Sequence, residues 1–321
     1  MSTEEESIVT FGAGQALVGI LSQPAPDAAR QQVGCLLLNT GVNHRIGPRR
    51  MNVKLARRLA ASGLPCLRFD MSGVGDSRPS TGTQDFRTQQ LIDMRAALDQ
   101  FQASTGLTRF LVYGVCSGAA SAMRLAVADP RIVGALMFDG YVFLNPAQRV
   151  ERRLRRMLAF PFNPSLRHLN PAWQACAAWL RAPRRMLAQR RAAPRDDASG
   201  PGDAADIFSA DAPAYTAQDF AAELQLLVDR GVDVNLMYSA MLHVVDRDKD
   251  MLAQLRGHPS LARVRYRFWP EVDHTVTLLE SQRLLLDAVD DWARAVAPPM
   301  RPLPAPAAHS PARAVRQPAQ V

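Results

Sequence analysis

Gly114-Val115-Cys116-Ser117-Gly118 is the stretch whose reading decides the fold. An apolar run, Arg109-Phe-Leu-Val-Tyr113, leads into it, and a small-residue run, Gly118-Ala-Ala-Ser-Ala-Met-Arg-Leu-Ala126, leads out. The first pattern predicts a strand and the second a helix. In a G-x-nucleophile-x-G pentapeptide, that succession of strand, sharp turn and helix presents the central side chain away from the sheet on a strained backbone. The flanking glycines are needed because a Cβ at either place would meet the neighbouring strand and helix. The register selects Cys116: with Ser117 at the centre, the flanking residues would be Val115 and Ala119, neither of them glycine. A buried cysteine in a tight turn is the plainer reading, but the pentapeptide and its flanks together favour a nucleophile.

Working outward, Ser7–Phe11 and Ala16–Leu21 flank Gly12-Ala-Gly14 and read as a β-hairpin. Gln32–Leu38 is a continuous apolar run, the mark of a strand covered on both faces. Pro48 opens a helix that runs to about Ser62, Leu64–Phe69 is the next strand, and Gln90–Ala103 is helical. After the pentapeptide and its helix come a strand at Ile132–Phe138, a helix at Gln218–Arg230, strands at Val232–Tyr238 and Arg263–Trp269, and a closing helix at Thr277–Val296. Strands alternating with helices imply an α/β fold with a mostly parallel central sheet and helices on both faces. Four segments result: a core over residues 1–144, an Arg-rich helical insertion over 145–215 placed as a lid, a second core part over 216–296, and a Pro/Ala-rich tail over 297–321. The tail has few large apolar residues and cannot bury enough surface to fold, so disorder is expected there.

The chain has 321 residues and a net charge of +8. Twelve arginines and three acids between Arg149 and Asp197 give that segment alone +9, so the remainder is near neutral. Such a face attracts phosphates, acidic proteins or an anionic membrane, or is simply a solvated helix surface. No helix-turn-helix, zinc finger or aromatic-interleaved basic motif accompanies the arginines, which argues against nucleic acid as a partner. Four cysteines without a C-x-x-C suggest neither a disulfide framework nor a metal site. The N-terminus lacks the basic start and apolar run of a signal peptide, and no run is long enough for a membrane span. A cytoplasmic location is therefore expected, where Cys116 stays a free thiol. Gly73-Val-Gly75 lacks the third glycine and the helix start of a dinucleotide loop and is read as a turn. Asp70 beside it is read as a turn-stabilising carboxylate, and no cofactor is expected.

The order of elements resembles the α/β-hydrolase superfamily over about residues 7–296, with the lid poorly matched. Four signals carry the likeness: Asn39-Thr-Gly-Val-Asn-His-Arg45 after the third strand, Phe69-Asp-Met-Ser-Gly-Val-Gly-Asp-Ser77 after the fourth, the pentapeptide after the fifth, and Asp273-His274-Thr275 before the last helix. His44-Arg-Ile-Gly-Pro-Arg-Arg50 and the cysteine pentapeptide also resemble a bacterial branch of cysteine-nucleophile hydrolases, including those associated with exosortase systems. The resemblance implies an α/β-hydrolase fold with a helical lid.

It also assigns roles. Cys116 is the expected nucleophile. A free thiol is only a few per cent thiolate at neutral pH, so it needs a neighbouring imidazole and the positive end of the following helix. His274 is the expected base. The triad acid is Asp139, at the end of its strand, or alternatively Asp246, because the usual location after Tyr238 reads Ser239-Ala-Met-Leu242 and holds no carboxylate. The oxyanion hole takes the N–H groups of Ser117 and of Val42, or alternatively Gly41. His44 is read as a substrate-side contact, and Arg45, with Arg49 and Arg50, either binds an anionic group or is exposed. Three functions compete: a hydrolase of ester or thioester bonds working through a covalent acyl-enzyme, an acyltransferase using the same intermediate, and a non-catalytic scaffold for an acidic partner. The arginine-rich segment favours a phosphate-bearing acyl donor, either CoA or an acyl carrier protein.

Overall fold

The structure, a computed structural model, describes residues 5–28, 30–159, 215–240 and 247–296. Eight strands form one sheet: β1 (Glu5–Phe11), β2 (Leu17–Gln23), β3 (Gly34–Leu37), β4 (Cys66–Phe69), β5 (Phe110–Val115), β6 (Ile132–Phe138), β7 (Asp233–Ser239) and β8 (Arg265–Trp269). Their order is β1-β2-β4-β3-β5-β6-β7-β8. β2 runs antiparallel to both β1 and β4, and every pair from β4 to β8 is parallel. The expected hairpin closes with Phe11 opposite Leu17.

Helices cover both faces. α1 (Met51–Ala61) and α7 (Leu279–Val296) lie on one face, where Leu55 and Leu59 share a buried cluster with Leu285, Val289 and Trp292. α2 (Phe86–Thr105), α3 (Ser117–Ala128) and α5 (Ala217–Asp229) lie on the other, contributing Met94, Leu98, Phe101, Met123, Phe220 and Leu224. β3 and β5 are buried along their whole length because both faces are covered, which is why their sequences are apolar without alternation. Two further helices are α4 (Pro146–Ala159) and the single-turn α6 (Asp248–Met251).

Two helix starts differ from the sequence reading by three residues or more, and α7 starts at Leu279 where Thr277 is expected. α2 begins at Phe86, because Asp85 caps it by accepting from the N–H groups of Arg87 and Thr88. α1 begins at Met51 and not at Pro48, because Arg49 and Arg50 adopt left-handed φ values of 54° and 60° and break the helical path. Only Asn145, α4 and Tyr215 of the expected 145–215 insertion are described. The rest of it, the 297–321 tail and the alternative acid Asp246 lie outside the described residues. Among the described residues no helix is long and apolar enough to cross a membrane.

Candidate functional site

The pentapeptide makes the turn between β5 and α3. Cys116 stands at φ 56° and ψ −120°, a conformation that side chains other than glycine rarely adopt. Two backbone bonds fix it there: its N–H donates to the Phe138 carbonyl at 2.9 Å, and its own carbonyl accepts from Ala119 at 3.0 Å. The glycines leave no room for anything larger. A Cβ on Gly114 would sit 2.0 Å from the Gly118 carbonyl oxygen, and one on Gly118 would sit 2.5 Å from the Asn39 carbonyl oxygen. Thus the strand, helix and β3 loop all close on the turn at backbone distance.

Loops at the same edge of the sheet bring the partners. His274 lies between β8 and α7, in a turn where Asp273 accepts from the Thr277 N–H at 2.9 Å. Asp139 follows β6 directly, at a positive φ of 49°, with its N–H donating to the Met237 carbonyl at 2.8 Å. His274 Nδ1 lies 2.9 Å from Asp139 Oδ2, and the Asp139 carboxylate is fully buried. The imidazole in turn hydrogen-bonds the Cys116 thiol. Cys116, His274 and Asp139 therefore form one hydrogen-bonded row.

The electrostatics follow from those contacts. The hydrogen bond that His274 donates to Asp139 is the largest influence raising the His274 pKa to about 10; the Cys116 contact adds to it and burial works against it. The Cys116 thiol is lowered, first by its hydrogen bond to His274 and also by the Ser117 N–H, against the opposing effect of burial. The row thus favours a thiolate beside an imidazolium. The contrast with Cys66 is instructive. That thiol lies buried next to Cys35 across the β3–β4 pair, and burial pushes its pKa well up.

Ser239, at the end of β7, is a residue that sequence reasoning missed. Its N–H donates to Asp139 Oδ1 at 2.6 Å, and its hydroxyl donates to Oδ2, the oxygen that also faces His274. Ser239 heads the stretch in which a carboxylate is expected and absent.

The loop after β3 approaches the turn from the other side. Ser117 Oγ accepts the Gly41 N–H at 2.6 Å, so of the two candidate donors in this loop, Gly41 is already engaged. Val42 is 81% exposed. His44 is exposed, with its backbone carbonyl accepting from Gly47 at 2.9 Å. Arg45, expected on the substrate side, is engaged by partners within the chain. Its guanidinium pairs with buried Asp70 and, at 2.6 Å, with Asp76, while its N–H donates to Asp70 Oδ1 at 2.5 Å. Asp70 also accepts the Asp76 N–H at 3.0 Å, and a Cβ on Gly75 would lie 2.3 Å from its Oδ2. Arg45 is therefore a clamp between the loops that follow β3 and β4, and it carries no free charge toward the thiol. Its neighbours Arg49 and Arg50 are exposed.

Residues 36–223 match the family model described as the alpha/beta hydrolase fold. No curated protein sequence matches the chain. Among solved structures, the Pyrococcus furiosus esterase superposes with a TM-score of 0.54 at 13% identity, covering 91% of each chain. An α/β serine hydrolase without lid from Xanthomonas campestris gives 0.52 at 16% identity, over 92% of this chain and 97% of that one. A dienelactone hydrolase from Anabaena variabilis gives 0.51 at 12% identity, over 91% and 98%. At such identities these likenesses speak for the fold.

Proposed function

Because the chain belongs to the alpha/beta hydrolase fold family, we propose that it is a hydrolase of ester or thioester bonds that works through a covalent acyl-enzyme on Cys116. The observation that carries this reading is the hydrogen-bonded row of Cys116, His274 and Asp139 at the C-terminal edge of the sheet, where open α/β sheets place their chemistry. The Cys116 thiolate attacks the acyl carbonyl, forming the C–S bond and placing negative charge on the carbonyl oxygen. The N–H groups of Ser117 and Val42 receive that charge, each such donor being worth about 3 kcal/mol in the transition state. Val42 is assigned over Gly41 because the Gly41 N–H already serves Ser117 Oγ. As the tetrahedral species collapses, the bond to the leaving oxygen or sulfur breaks and the His274 imidazolium protonates it. Water then adds to the thioester, giving its proton to His274. Collapse releases the acid and restores the thiol. Asp139 holds the imidazole in place and stabilises its protonated form.

In this reading the chain sits in a cysteine-nucleophile branch of the family, in line with the resemblance of its pentapeptide to the exosortase-associated hydrolases. The acyl donor extends the proposal to CoA or an acyl carrier protein, supported by the exposed Arg149 and Arg153 on α4.

The test is intact-mass spectrometry after mixing with p-nitrophenyl butyrate or a short acyl-CoA. An acyl adduct on Cys116 that water clears is the expected result, and Cys116→Ala should lose both adduct and turnover, by several orders of magnitude in rate. An adduct that persists until a thiol, amine or alcohol is supplied would replace hydrolysis with acyl transfer. If no donor leaves an adduct and Cys116→Ala behaves as wild type, the protein is a scaffold and the proposal fails.

A further inference from the structure

β7 lies between β6, which ends at Asp139, and β8, which leads to His274. Its last residues hold the chain on both sides. Toward β8, Ser239 pairs with Trp269, and the next N–H, that of Ala240, donates to the Trp269 and Val272 carbonyls at 3.2 and 3.1 Å. Val272 is two residues before His274. Toward β6, the Met237 carbonyl accepts the Asp139 N–H at 2.8 Å, and the Tyr238 hydroxyl donates to the Tyr141 carbonyl at 2.8 Å. The end of β7 is thus a frame to which the acid and the base are both tied by backbone.

Ser239 is the residue of that frame that reaches the acid with its side chain. Asp139 Oδ1 accepts the Ser239 N–H at 2.6 Å, and Oδ2 accepts both the Ser239 hydroxyl and His274 Nδ1–H. Ser239 and the Asp139 carboxylate are both fully buried. The last torsion of an aspartate is broad, so by itself it does not decide which way the oxygens face. The N–H bond makes Oδ1 a pivot. The hydroxyl then sets where Oδ2 points, and it points at the imidazole.

We infer that Ser239 is a positioning residue of the reaction, whose hydroxyl holds Asp139 Oδ2 against His274 Nδ1. This rests on the reading of Cys116, His274 and Asp139 as nucleophile, base and acid. Ser239 touches no reacting atom and acts only through Asp139. Its signature is therefore in the protonation of His274. The Asp139 hydrogen bond is the largest influence holding that imidazole at about 10, against an ordinary 6.5. An Oδ2 free to swing away gives up part of that bond, and the imidazolium then loses its proton at a lower pH. A hydroxyl that only competed with His274 for Oδ2 would act with the opposite sign, because its loss would strengthen the remaining bond. The other groups that bear on the pair are few among the described residues. Cys116 faces His274. Tyr113 on β5 and Tyr238 on β7 feel Asp139 through space, and burial pushes both phenols far enough up to stay neutral throughout.

The test is the pH dependence of p-nitrophenyl butyrate hydrolysis by Ser239→Ala, which removes one oxygen and keeps the N–H bond to Oδ1. At neutral pH its kcat should be lower by about tenfold with KM within about twofold of wild type. The alkaline fall of kcat/KM should move down by at least about one pH unit. Ser239→Thr keeps a hydroxyl and should keep the fall where wild type has it. In an Asp139→Ala background, Ser239→Ala should cost less than about twofold more, because the group it positions is already gone. A fall that stays in place or moves up, a loss that lies wholly in KM, a Thr variant that shifts as the Ala variant does, or an undiminished loss without Asp139 would each overturn the inference. Failure of the Cys116 reading is distinguishable, because wild type itself would then leave no acyl adduct on Cys116, whatever residue stands at 239.

Discussion

Cys116 differs from the buried thiols of the same chain in what its neighbours do to its charge. His274 and the Ser117 N–H lower its pKa, and the imidazole is raised to about 10 by Asp139 and by the thiol. In the proposed mechanism the attacking form is therefore the thiolate–imidazolium pair. Below the lowered thiol value the thiolate gains a proton and attack stops. Above about 10 the imidazolium loses the proton that the leaving group needs. A profile of kcat/KM against pH should therefore rise at a pH below the ordinary thiol value, stay level through neutrality and fall near pH 10. An acid limb at or above the ordinary thiol value would show that the pair does not form. The Gly114 position gives a second expectation at this scale. Its missing Cβ would meet the Gly118 carbonyl at 2.0 Å and the Ala119 nitrogen at 2.8 Å, backbone atoms with no flexible side chain to yield. Gly114→Ala should cost about 3 kcal/mol or more in urea unfolding. A loss below about 1 kcal/mol would mean the turn is looser than its contacts.

Elements are legible in this sequence where apolar pattern carries them and illegible where polar geometry does. β3, β5 and β6 announce themselves as unbroken apolar runs because the sheet is covered twice. The start of α2 does not, because Asp85 caps it inside a polar stretch from Ser80 to Gln89 where periodicity is silent. The left-handed Arg49 and Arg50, which delay α1, have no signature in residue type. The candidate site divides the same way. Cys116 and His274 stand in recognisable strand-to-helix contexts, and Asp139 at the end of an apolar strand. Ser239 is a serine at a strand end, and only the neighbouring strand gives it a carboxylate to hold. Arg45 shows the converse. Its charge suggests a ligand, but buried Asp70 takes it to lock two loops together. Arg45→Gln should lower the unfolding free energy by about 3 kcal/mol, because it leaves the Asp70 carboxylate buried with backbone donors alone. It should also reduce kcat/KM by the same factor for anionic and neutral esters. A loss confined to anionic substrates would restore Arg45 as a substrate contact.

Across the whole molecule, the β1–β2 hairpin joins the parallel sheet through the antiparallel pairing of β2 with β4 over Gly19–Ser22. Glu6 supplements that junction. From β1 its carboxylate hydrogen-bonds Arg57 on α1 at 2.9 Å, Arg68 on β4 at 3.2 Å and the Ser22 hydroxyl at 3.1 Å. Those contacts, the Arg57 hydrogen bond foremost, hold its pKa down to about 2 against a usual value of 4.5. A carboxylate depressed on folding stabilises the fold above its unfolded value, and that contribution is lost as pH falls from 4.5 toward 2. Glu6 borders solvent, so screening limits the effect to about 1 kcal/mol. Glu6→Gln should therefore be less stable than wild type at pH 7 by about that amount in urea unfolding. The gap should narrow below pH 4.5 and close as pH approaches 2. A gap of equal size at both ends would assign the contribution of Glu6 to packing along β1, and the hairpin would then be held by its strand bonds alone.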